Sequence, residues 1–411
     1  MSRKSVSLAI IALIVLLVLS WVALASTVEA QPPQATLTPQ PGQAHDHVMA
    51  AANMQSVALR PVATDTSIAD LVARVDGDRW HDDVTTLAQF GATTPDGWGT
   101  RRTLSDGNLA ARDWISATLA GLGWTTSFHS FFMVGGMSYN VIGERTGDRY
   151  PDDIYIVGAH MDSTSPEAWT LAPGAEDNAS GTAALLEIAR VLQDQTPART
   201  IRLVAFSGEE QGLVGSEAYA TYLEEVSREL DHVKGVYNMD MVGYTSNPSS
   251  VHVVLGSRNP DTYPWMGDIR DHLVSMAATY TTLQVYMSNS TCCSDHAPFL
   301  FREVPAVLLI GAEYSSYPHY HTTNDLPSYV VPAEGREIIK AVVAALAEKA
   351  GVICIFADVD CDGAVTLADL VELANHWRQS PNAAGNDGYD LNLDGKINIL
   401  DLQLAALALA G

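Results

Sequence analysis

Runs of apolar residues alternate with amphipathic segments through the middle of this chain. The run IYIVGAH (154–160) precedes NASGTAALLEIARVLQ, and IRLVAF (201–206) precedes SGEEQGLVGSEAYATYLEEV. The same order recurs where VKGVYNMDMVG (233–243) precedes DIRDHLVSMAATY and where PAVLLIGA (305–312) precedes EGREIIKAVVAALAEKAG. Continuous Val, Ile, Leu and Ala runs that lead into helices are typical of parallel strands buried on both faces. The pattern therefore predicts an α/β domain with a mainly parallel central sheet and helices on both faces.

The patterning divides the chain into four regions. Residues 67–351 form the predicted α/β domain, in which FHSFFMV and YNVIGERTG are two further strands. Residues 353–411 have a different, acidic character and are predicted to form a second domain. Residues 31–66 begin with a segment rich in Pro, Gln and Thr and are predicted to be a linker or a removable pro-segment.

Residues 1–30 have the features of an export signal. MSRK is followed by a long apolar run and by small-residue cleavage patterns, which predicts a signal peptide. An uncleaved membrane anchor is the alternative, because the apolar run approaches the roughly 20 residues that span a bilayer. Both interpretations place the rest of the chain outside the cytoplasm, either secreted or attached to the cell surface.

The net charge of the chain narrows the range of partners. The value of −25, from 48 acidic and 23 basic residues, argues against nucleic acid as a partner, because nucleic acid selects basic surfaces.

The four cysteines form two close pairs, Cys292/Cys293 and Cys354/Cys361. An oxidising compartment favours disulfides, and the local Cys354–Cys361 bridge is the easier one to form. A bridge between the adjacent Cys292 and Cys293 requires a strained turn, so this pairing stays open.

The predicted parallel strands end in side chains that can bind a metal ion. Directly at or just after these strands stand His160, Glu209, Glu210, Asp240 and, beyond a short loop, His321. Ligands bind at the carboxyl ends of strands in open α/β sheets, so these side chains are expected to converge. Two adjacent buried glutamates also need a cation to offset their desolvation, and LVAFSGEEQGLVGS contains no Lys or Arg. Asp177, in the turn before the next helix, is a further candidate.

The charge of this ligand set favours two metal ions. Its members are the carboxylates Asp177, Glu210 and Asp240 and the neutral imidazoles His160 and His321. Three carboxylates at −1 each give −3, so one Zn²⁺ leaves −1, whereas two leave +1, which a bridging hydroxide neutralises. Mixed imidazole and carboxylate ligation favours zinc. Asp162 lies two residues after His160, on the same side of an extended chain, and is predicted to orient the His160 ring.

In this region the sequence resembles the M28 zinc aminopeptidases of the secreted leucyl-aminopeptidase type. The resemblance covers roughly residues 67–350 and rests on GAHMDS, GAEDNASGTAALLEIAR, FSGEEQGLVGS, NMDMVGY, SDHAPF and YHTTND, in that order. It implies a zinc-peptidase/phosphorylase-like fold and two zinc ions per catalytic domain. The implied ligands are His160 and Asp240 for one zinc and Glu210 and His321 for the other, with Asp177 bridging.

The same resemblance implies further roles around the zinc ions. Glu209 is the expected general base, Tyr320 is a candidate donor to the oxyanion, and a cis peptide is expected at Asp177–Asn178. The free α-amino group of the substrate is expected to lie near the zinc ions, which implies exopeptidase action. The apolar substrate-pocket positions are Met241, Leu308 and Ile310, for which an ordinary core role is the alternative.

Two acidic 12-residue segments in the C-terminal region fit a calcium-loop template. DVDCDGAVTLAD (358–369) and DLNLDGKINILD (390–401) carry Asp or Asn at positions 1, 3 and 5, Gly at position 6 and Asp at position 12. The first loop predicts ligation by Asp358, Asp360, Asp362, Ala364 and Asp369. The second predicts ligation by Asp390, Asn392, Asp394, Lys396 and Asp401. Ala364 and Lys396 would ligate through their main-chain carbonyls, and the two loops would hold two calcium ions.

This duplicated ending resembles a dockerin type I domain, a small all-α calcium-binding module. The resemblance implies binding to a cohesin module on a scaffold or surface protein. The partner-facing loop positions would be Leu367-Ala368 and Ile399-Leu400, which are more apolar than the Ser/Thr pairs of many dockerins. A calcium-stabilised appendage without a partner is the alternative.

The predicted function is a secreted zinc-dependent aminopeptidase that removes N-terminal, apolar residues from peptides and carries a dockerin module for attachment. The implied mechanism is metal-assisted amide hydrolysis, with Glu209 transferring protons. A glutaminyl cyclase, which shares the fold and much of the ligand set but uses one zinc, is the enzymatic alternative. A peptide-binding ectodomain on an inactive peptidase scaffold and a dockerin-bearing structural component are the non-enzymatic alternatives.

Overall fold

The computed structural model describes residues 55–56, 66–95, 97–289, 291–352, 357–359, 365–380, 389–392 and 395–410. The predicted signal peptide and most of the predicted linker or pro-segment lie outside these residues. Also outside them are Cys354, Cys361, Asp360, Asp362, Ala364 and Asp394. The Cys354–Cys361 bridge and these four calcium ligands therefore stay predictions.

Nine strands of the described chain form one mixed sheet. Their bounds are β1 Gln55–Ser56, β2 Thr125–Met133, β3 Gly136–Arg145, β4 Tyr150–His160, β5 Arg199–Phe206, β6 Val233–Met239, β7 His252–Gly256, β8 Gln284–Ser288 and β9 Ala306–Gly311. Their order across the sheet is β1-β8-β7-β9-β6-β4-β5-β3-β2. The central strands β9, β6, β4 and β5 are parallel to one another, whereas β7 and β3 flank them in the antiparallel direction. The predicted α/β class with a parallel centre is confirmed, and the outer strands make the sheet mixed.

Helices connect and cover the strands. Their bounds are α1 Thr66–Val72, α2 Gly77–Gln89, α3 Asp106–Gly121, α4 Ser180–Val191, α5 Val214–Tyr222, α6 Ile269–Tyr280, α7 Ala297–Leu300, α8 Pro332–Lys349, α9 Leu367–Asn375 and α10 Ile399–Ala410. Ser105 is the N-cap of α3, and its side-chain hydroxyl accepts the N–H of Asn108, as expected for an N-cap serine. None of the helices in the described ranges is long and apolar enough to span a membrane.

Burial along the central strands shows that both faces of the sheet are covered. Every residue of β9 is buried, as is every residue of β5 except Arg202 and of β6 except Lys234. Successive side chains in a strand point to opposite faces, so burial of consecutive residues requires packing on both sides. The polar residues at the carboxyl ends of these strands are therefore held on a closely packed base.

The C-terminal helices pack on a small core of their own. Its buried members are Ala357, Val359, Leu373, Tyr389, Ile397 and Ala405. Asp369 accepts the N–H groups of Val359 and Thr366 at 2.8 Å and 2.6 Å. Asp401 likewise accepts the N–H groups of Asn392 and Asn398 at 3.3 Å and 2.7 Å. The last residue of each predicted calcium loop thus accepts two main-chain N–H groups from described residues of its own loop.

Candidate active site

His160 is the last residue of β4 and is buried, with 1% of its surface exposed. Its Nε2 lies 3.2 Å from Asp177 Oδ1 and 3.4 Å from Asp240 Oδ1. Within the described residues Nε2 makes no hydrogen bond, and the three ligand atoms lie within 4.8 Å of one another. Burial lowers the pKa of His160, but nearby carboxylates, led by Glu209 and Asp240, outweigh burial and raise this pKa well above its usual value.

Asp177 lies between two imidazoles. Its Oδ1 faces His160 Nε2 at 3.2 Å, and its Oδ2 faces His321 Nε2 at 3.1 Å. A carboxylate whose two oxygens face different imidazoles has the arrangement of a bridging metal ligand. Burial raises the pKa of Asp177, but the two histidines more than offset burial and hold this pKa well below its usual value.

The turn that presents Asp177 is fixed on both sides. Gly174 has a φ of 52°, in the left-handed region that favours glycine, and a Cβ there would lie 2.5 Å from the main-chain oxygen of Asp177. The peptide bond between Asp177 and Asn178 is cis, as the resemblance implies. Asn178 donates to the carbonyl of Met239 and accepts the N–H of Met241, which ties the turn to the end of β6.

His321 and Glu210 complete a second group around Asp177. His321 Nε2 lies 3.1 Å from Glu210 Oε2. Burial and the charge of Asp177 raise the pKa of Glu210 to about 7. Burial lowers the pKa of His321, but Asp177 and Glu210 outweigh burial and raise it to about 10. Each group has its ligand atoms within 4.8 Å of one another: His160, Asp177 and Asp240 in one, and Asp177, Glu210 and His321 in the other.

Asp240 follows β6 and is oriented by a neighbouring hydroxyl. Ser294 donates to Asp240 Oδ2 at 2.6 Å, and Asn238 Nδ2 donates to the Ser294 hydroxyl at 2.8 Å. With Oδ2 held in this way, Oδ1 is the oxygen directed toward His160. Ser294 and Asn238 thus fix which oxygen of Asp240 is presented.

Asp162 holds the two glutamates rather than the ring of His160. Its carboxylate accepts the N–H groups of Glu209 and Glu210 at 3.2 Å and 3.4 Å and the hydroxyl of Thr103 at 2.9 Å. The Nδ1 of His160 lies 3.1 Å from the main-chain oxygen of Asp162 and 3.7 Å from its carboxylate. The ring is therefore oriented by the main chain of Asp162, while its side chain positions the turn after β5.

Glu209 is buried, 2% exposed, and lines the cavity next to the two ligand groups. Its Oε2 lies 4.0 Å from His160 Nε2, farther than the 3.2 Å and 3.4 Å that separate this nitrogen from Asp177 and Asp240. Burial and the charges of neighbouring carboxylates raise the pKa of Glu209 well above its usual value. A raised pKa makes this carboxylate a stronger proton acceptor, which suits a general base.

Tyr320 stands beside His321 at the cavity wall. The two rings stack with their centroids 3.8 Å apart. Burial and the charges of Asp177 and Glu210 raise the pKa of Tyr320 well above its usual value. The phenol therefore stays protonated and can donate a hydrogen bond into the cavity.

A cavity of about 350 Å³ opens beside the ligand groups. His160, Asp177, Glu209 and Asp240 line its polar end. The three predicted pocket residues, Met241, Leu308 and Ile310, all line its apolar wall. They pack with Tyr317 and Val254 in a small apolar cluster separate from the main core. An apolar wall facing a few convergent polar groups is typical of a small-molecule or side-chain site.

The adjacent cysteines are joined in the structure. Cys292 and Cys293 form a disulfide with their Cα atoms 3.7 Å apart. Cys293 has a φ of 84° and lines the cavity next to Ser294. The bridge left open by the sequence is thus present and forms part of the pocket wall.

Several residues that organise the site have no signal in the sequence pattern. Asp325 accepts the N–H groups of Glu176 and Asp177 at 2.9 Å and 3.0 Å and the hydroxyl of Tyr317 at 2.7 Å. It stands in the YHTTND segment, but nothing local shows that its partners lie 148 and 149 residues away. Ser294, Tyr314, Ser315 and Tyr317 also line the cavity without matching a spacing rule.

These residues fit the binding of divalent metal ions. Both oxygens of the buried Glu210 carboxylate make no hydrogen bond with a described residue, an arrangement that is costly unless a cation compensates it. Imidazole nitrogens together with carboxylate oxygens suit zinc. The two groups that share Asp177 provide such a donor set twice.

Comparison with known families agrees with this fold and site. The model of peptidase family M28 matches residues 140–346, and the dockerin type I domain model matches residues 356–407. The chain therefore belongs to peptidase family M28 and carries a dockerin type I domain. Both predicted family assignments are confirmed.

Two curated relatives are named as aminopeptidases. A probable aminopeptidase from Saccharomyces cerevisiae is 27% identical over 300 residues, which cover 68% of this chain and 75% of the yeast protein. Aminopeptidase YwaD from Bacillus subtilis is 32% identical over 193 residues, which cover 46% of this chain and 39% of that protein. These relatives support the prediction of a metallo-aminopeptidase.

Solved structures share the fold at low sequence identity. The LapA aminopeptidase from Legionella pneumophila has a TM-score of 0.56 at 21% identity, covering 72% of this chain and 78% of its own. A glutaminyl cyclase from Bacteroides thetaiotaomicron has a TM-score of 0.50 at 18% identity, covering 66% of this chain and 97% of its own. At these identities the likeness shows the fold alone, and this fold occurs in both kinds of enzyme.

Proposed function

We propose that this chain is a zinc-dependent aminopeptidase that acts outside the cytoplasm and removes apolar N-terminal residues from peptides. The observation that carries the proposal is the position of Asp177, with one oxygen toward His160 and the other toward His321. One zinc ion would be held by His160 and Asp240 and a second by Glu210 and His321, with Asp177 shared. Membership in peptidase family M28 supports this assignment.

The proposed chemistry is hydrolysis of the first peptide bond. Bound zinc would lower the pKa of a water toward about 7 and polarise the scissile carbonyl. Glu209, buried at the cavity, would accept the proton of the attacking water and return one to the leaving amine. The Tyr320 hydroxyl would donate to the oxygen on which negative charge develops.

The cavity suits the N-terminal residue of a peptide. Met241, Leu308 and Ile310 offer an apolar wall for its side chain, which would be desolvated there. The free α-amino group of the peptide is proposed to lie at the polar end, beside the zinc ions, as membership in the family suggests. A peptide bond in mid-chain has no free amino group next to it, so this placement favours exopeptidase action.

The C-terminal domain is proposed to bind two calcium ions and to attach the enzyme to a cohesin module. Dockerin domains generally have this role, and the domain match supports it. Leu367, Ile399 and Leu400, at the predicted partner-facing positions, are 61%, 51% and 48% exposed. Exposed apolar side chains of this kind mark interaction surfaces.

Hydrolysis of leucyl-p-nitroanilide tests the proposed activity. The mature protein is expected to release p-nitroaniline, and Glu209→Gln is expected to lose this activity while keeping its zinc. Glu187→Gln is the matched control, because Glu187 is also fully buried but lies on α4 and bonds Arg190. An inactive parent chain, or a Glu209→Gln variant as active as the parent, would contradict the proposal.

A glutaminyl cyclase is the second candidate, because a solved cyclase shares the fold. It predicts one zinc per chain and the release of ammonia from peptides that begin with glutamine. Mass analysis of such a peptide after incubation distinguishes the two reactions. Loss of 17 mass units would indicate cyclisation, roughly the mass of ammonia, whereas loss of the whole first residue would indicate the aminopeptidase.

A further inference from the structure

Arg101 is a fully buried cation on the segment between α2 and α3. Its guanidinium donates to four main-chain carbonyls. These belong to Met161 (2.9 Å), Leu87 (2.8 Å), Pro173 (2.6 Å) and Gly174 (2.8 Å). Within the described ranges no carboxylate forms an ion pair with Arg101 at 4.0 Å or less.

Three of these four carbonyls belong to segments that carry zinc-ligand candidates. Met161 directly follows His160, and Pro173 and Gly174 directly precede the turn that presents Asp177. The main-chain N–H of Arg101 also donates to Ser163 Oγ at 3.1 Å. Arg101 thus connects the end of β4 with the turn of the shared ligand.

We propose that Arg101 is a positioning residue for the metal centre, because its guanidinium fixes the segments of His160 and Asp177 relative to each other. The inference rests on the proposed two-zinc site. Arginine suits this task because its planar group offers five N–H donors in a fixed fork, whereas lysine offers three from one nitrogen. A lysine at position 101 keeps the charge but cannot reach four carbonyls at once.

The charge of Arg101 is present at neutral pH. Burial lowers the pKa of Arg101 to about 10, and the carboxylates of Asp325 and Asp162 oppose this shift. Asp325 accepts the main-chain N–H of Asp177. Asp162 accepts the main-chain N–H groups of Glu209 and Glu210. The buried cation therefore also offsets the negative charge of the carboxylates that position the ligands.

Arg145 provides a matched control. It too donates to several main-chain carbonyls, those of Leu192, Gln193 and Gln195 at 2.6–3.0 Å. It is the last residue of β3, and it pairs with Ile201 near the start of β5. Arg145 therefore lies at the opposite end of the strands from the metal ligands, and its replacement perturbs the same kind of contact away from the site.

The test compares Arg101→Lys and Arg145→Lys in the full-length mature chain. The readouts are zinc affinity, from competition with a chelating dye, and the visible spectrum of the Co²⁺-substituted protein, which reports ligand geometry. Arg101→Lys is expected to weaken zinc binding by about 10- to 100-fold, the usual effect of losing a group that orients metal ligands, and to alter the Co²⁺ bands. Arg145→Lys is expected to match the parent chain in both readouts.

Equal zinc affinity and equal Co²⁺ spectra for the parent and Arg101→Lys would overturn the positioning role, as would equal weakening in Arg145→Lys. If Arg101→Lys does not fold, Ser163→Ala decides, since it keeps the guanidinium but removes the hydroxyl that accepts the Arg101 main-chain N–H and donates to the carbonyl of Ala172, just before Pro173. Weaker zinc binding in Ser163→Ala then supports the role, and unchanged binding overturns it. A parent chain that binds fewer than two zinc ions contradicts the proposed function and the role of Arg101 together.

Discussion

The two metal-binding regions of this chain are assembled in opposite ways. The zinc-ligand candidates extend from His160 to His321 and come from separate strands and turns of a large domain. The calcium-ligand candidates of each C-terminal loop lie within 12 consecutive residues. In the first region the fold brings the ligands together, whereas in the second the ligands are neighbours in sequence and the ion organises the loop.

The packing beneath the two regions differs accordingly. The zinc-ligand candidates lie above central strands that are buried on both faces. In the described part of the C-terminal region the core has six buried residues, which include Ala357, Val359, Tyr389 and Ile397. A core of that size rarely stabilises a domain without ions or cross-links. The large domain should therefore keep its fold without its metal, and the small domain should not.

The largest expected effect is on catalysis in the preformed site. Glu209→Gln should lower kcat by about 10²–10⁴-fold, the usual contribution of a general acid–base, and leave the zinc content unchanged. Initial rates with leucyl-p-nitroanilide and metal analysis of the same samples check both parts. Loss of zinc together with activity would show instead that Glu209 is a ligand.

Removal of calcium should unfold the C-terminal region and leave the large domain folded. In calcium-free buffer supplied with zinc, a protease should digest residues 353–411 and leave residues 67–351 intact, because the loops lose the ions that organise them. Gel analysis of the digest over time measures this difference. Equal protection of both regions with and without calcium would contradict the comparison.

Ser294→Ala should have a smaller effect, confined to the zinc site. This substitution removes the hydroxyl that donates to Asp240 Oδ2. Zinc affinity is expected to fall about 10-fold, which is the lower end of the usual effect of losing a group that orients a metal ligand. Ser257→Ala is the control, because Ser257 is equally buried but donates to the carbonyl of Ala306. Competition with a chelating dye measures the zinc affinity of both variants. Equal zinc affinities would contradict the role of Ser294 in orienting Asp240.

The pH dependence of zinc binding is the most gradual expected effect. In protein prepared without zinc, the pKa of His321 is raised to about 10 and that of Glu210 to about 7. At pH 7 His321 is therefore protonated and must release its proton to bind zinc. Zinc affinity should rise from pH 6 to pH 9, and calorimetry in buffers of different ionisation enthalpy should show proton release. A pH-independent affinity would contradict these shifts.

The raised pKa of His321 also determines how this residue contributes to folding stability as the pH changes. The folded pKa of His321 lies above its usual value of 6.5, so protonated His321 beside the ionised Asp177 stabilises the zinc-free protein fully below pH 6.5. That stabilisation should be lost as the pH rises through about 10. Thermal unfolding of zinc-free His321→Gln beside the parent chain should show a difference that disappears at high pH.

The sequence predicts the centre of the fold better than its margins. The long apolar runs that lead into helices predict the central strands β4, β5, β6 and β9, and the ends of these strands indicate the ligand positions. The strands β7 and β8 are five residues each, and so short a run has too little periodicity to predict a strand. Their places depend on pairing with β9 and with each other.

The supporting residues of the site were harder to predict than the ligands. Ser294 contacts Asp240 across 54 residues of sequence, and Arg101 contacts the carbonyl of Gly174 across 73. A serine hydroxyl or a guanidinium that serves a main-chain carbonyl leaves no repeat or spacing in the sequence. Only the folded geometry connects them to the metal ligands.

The most direct test of the account is the number of zinc ions per chain, measured by native mass spectrometry of the mature protein and of Asp177→Asn. Two zinc ions are expected in the parent chain, because Asp177 faces both His160 and His321, and fewer are expected in Asp177→Asn. A parent chain with a single zinc ion, retained unchanged in Asp177→Asn, would contradict this expectation.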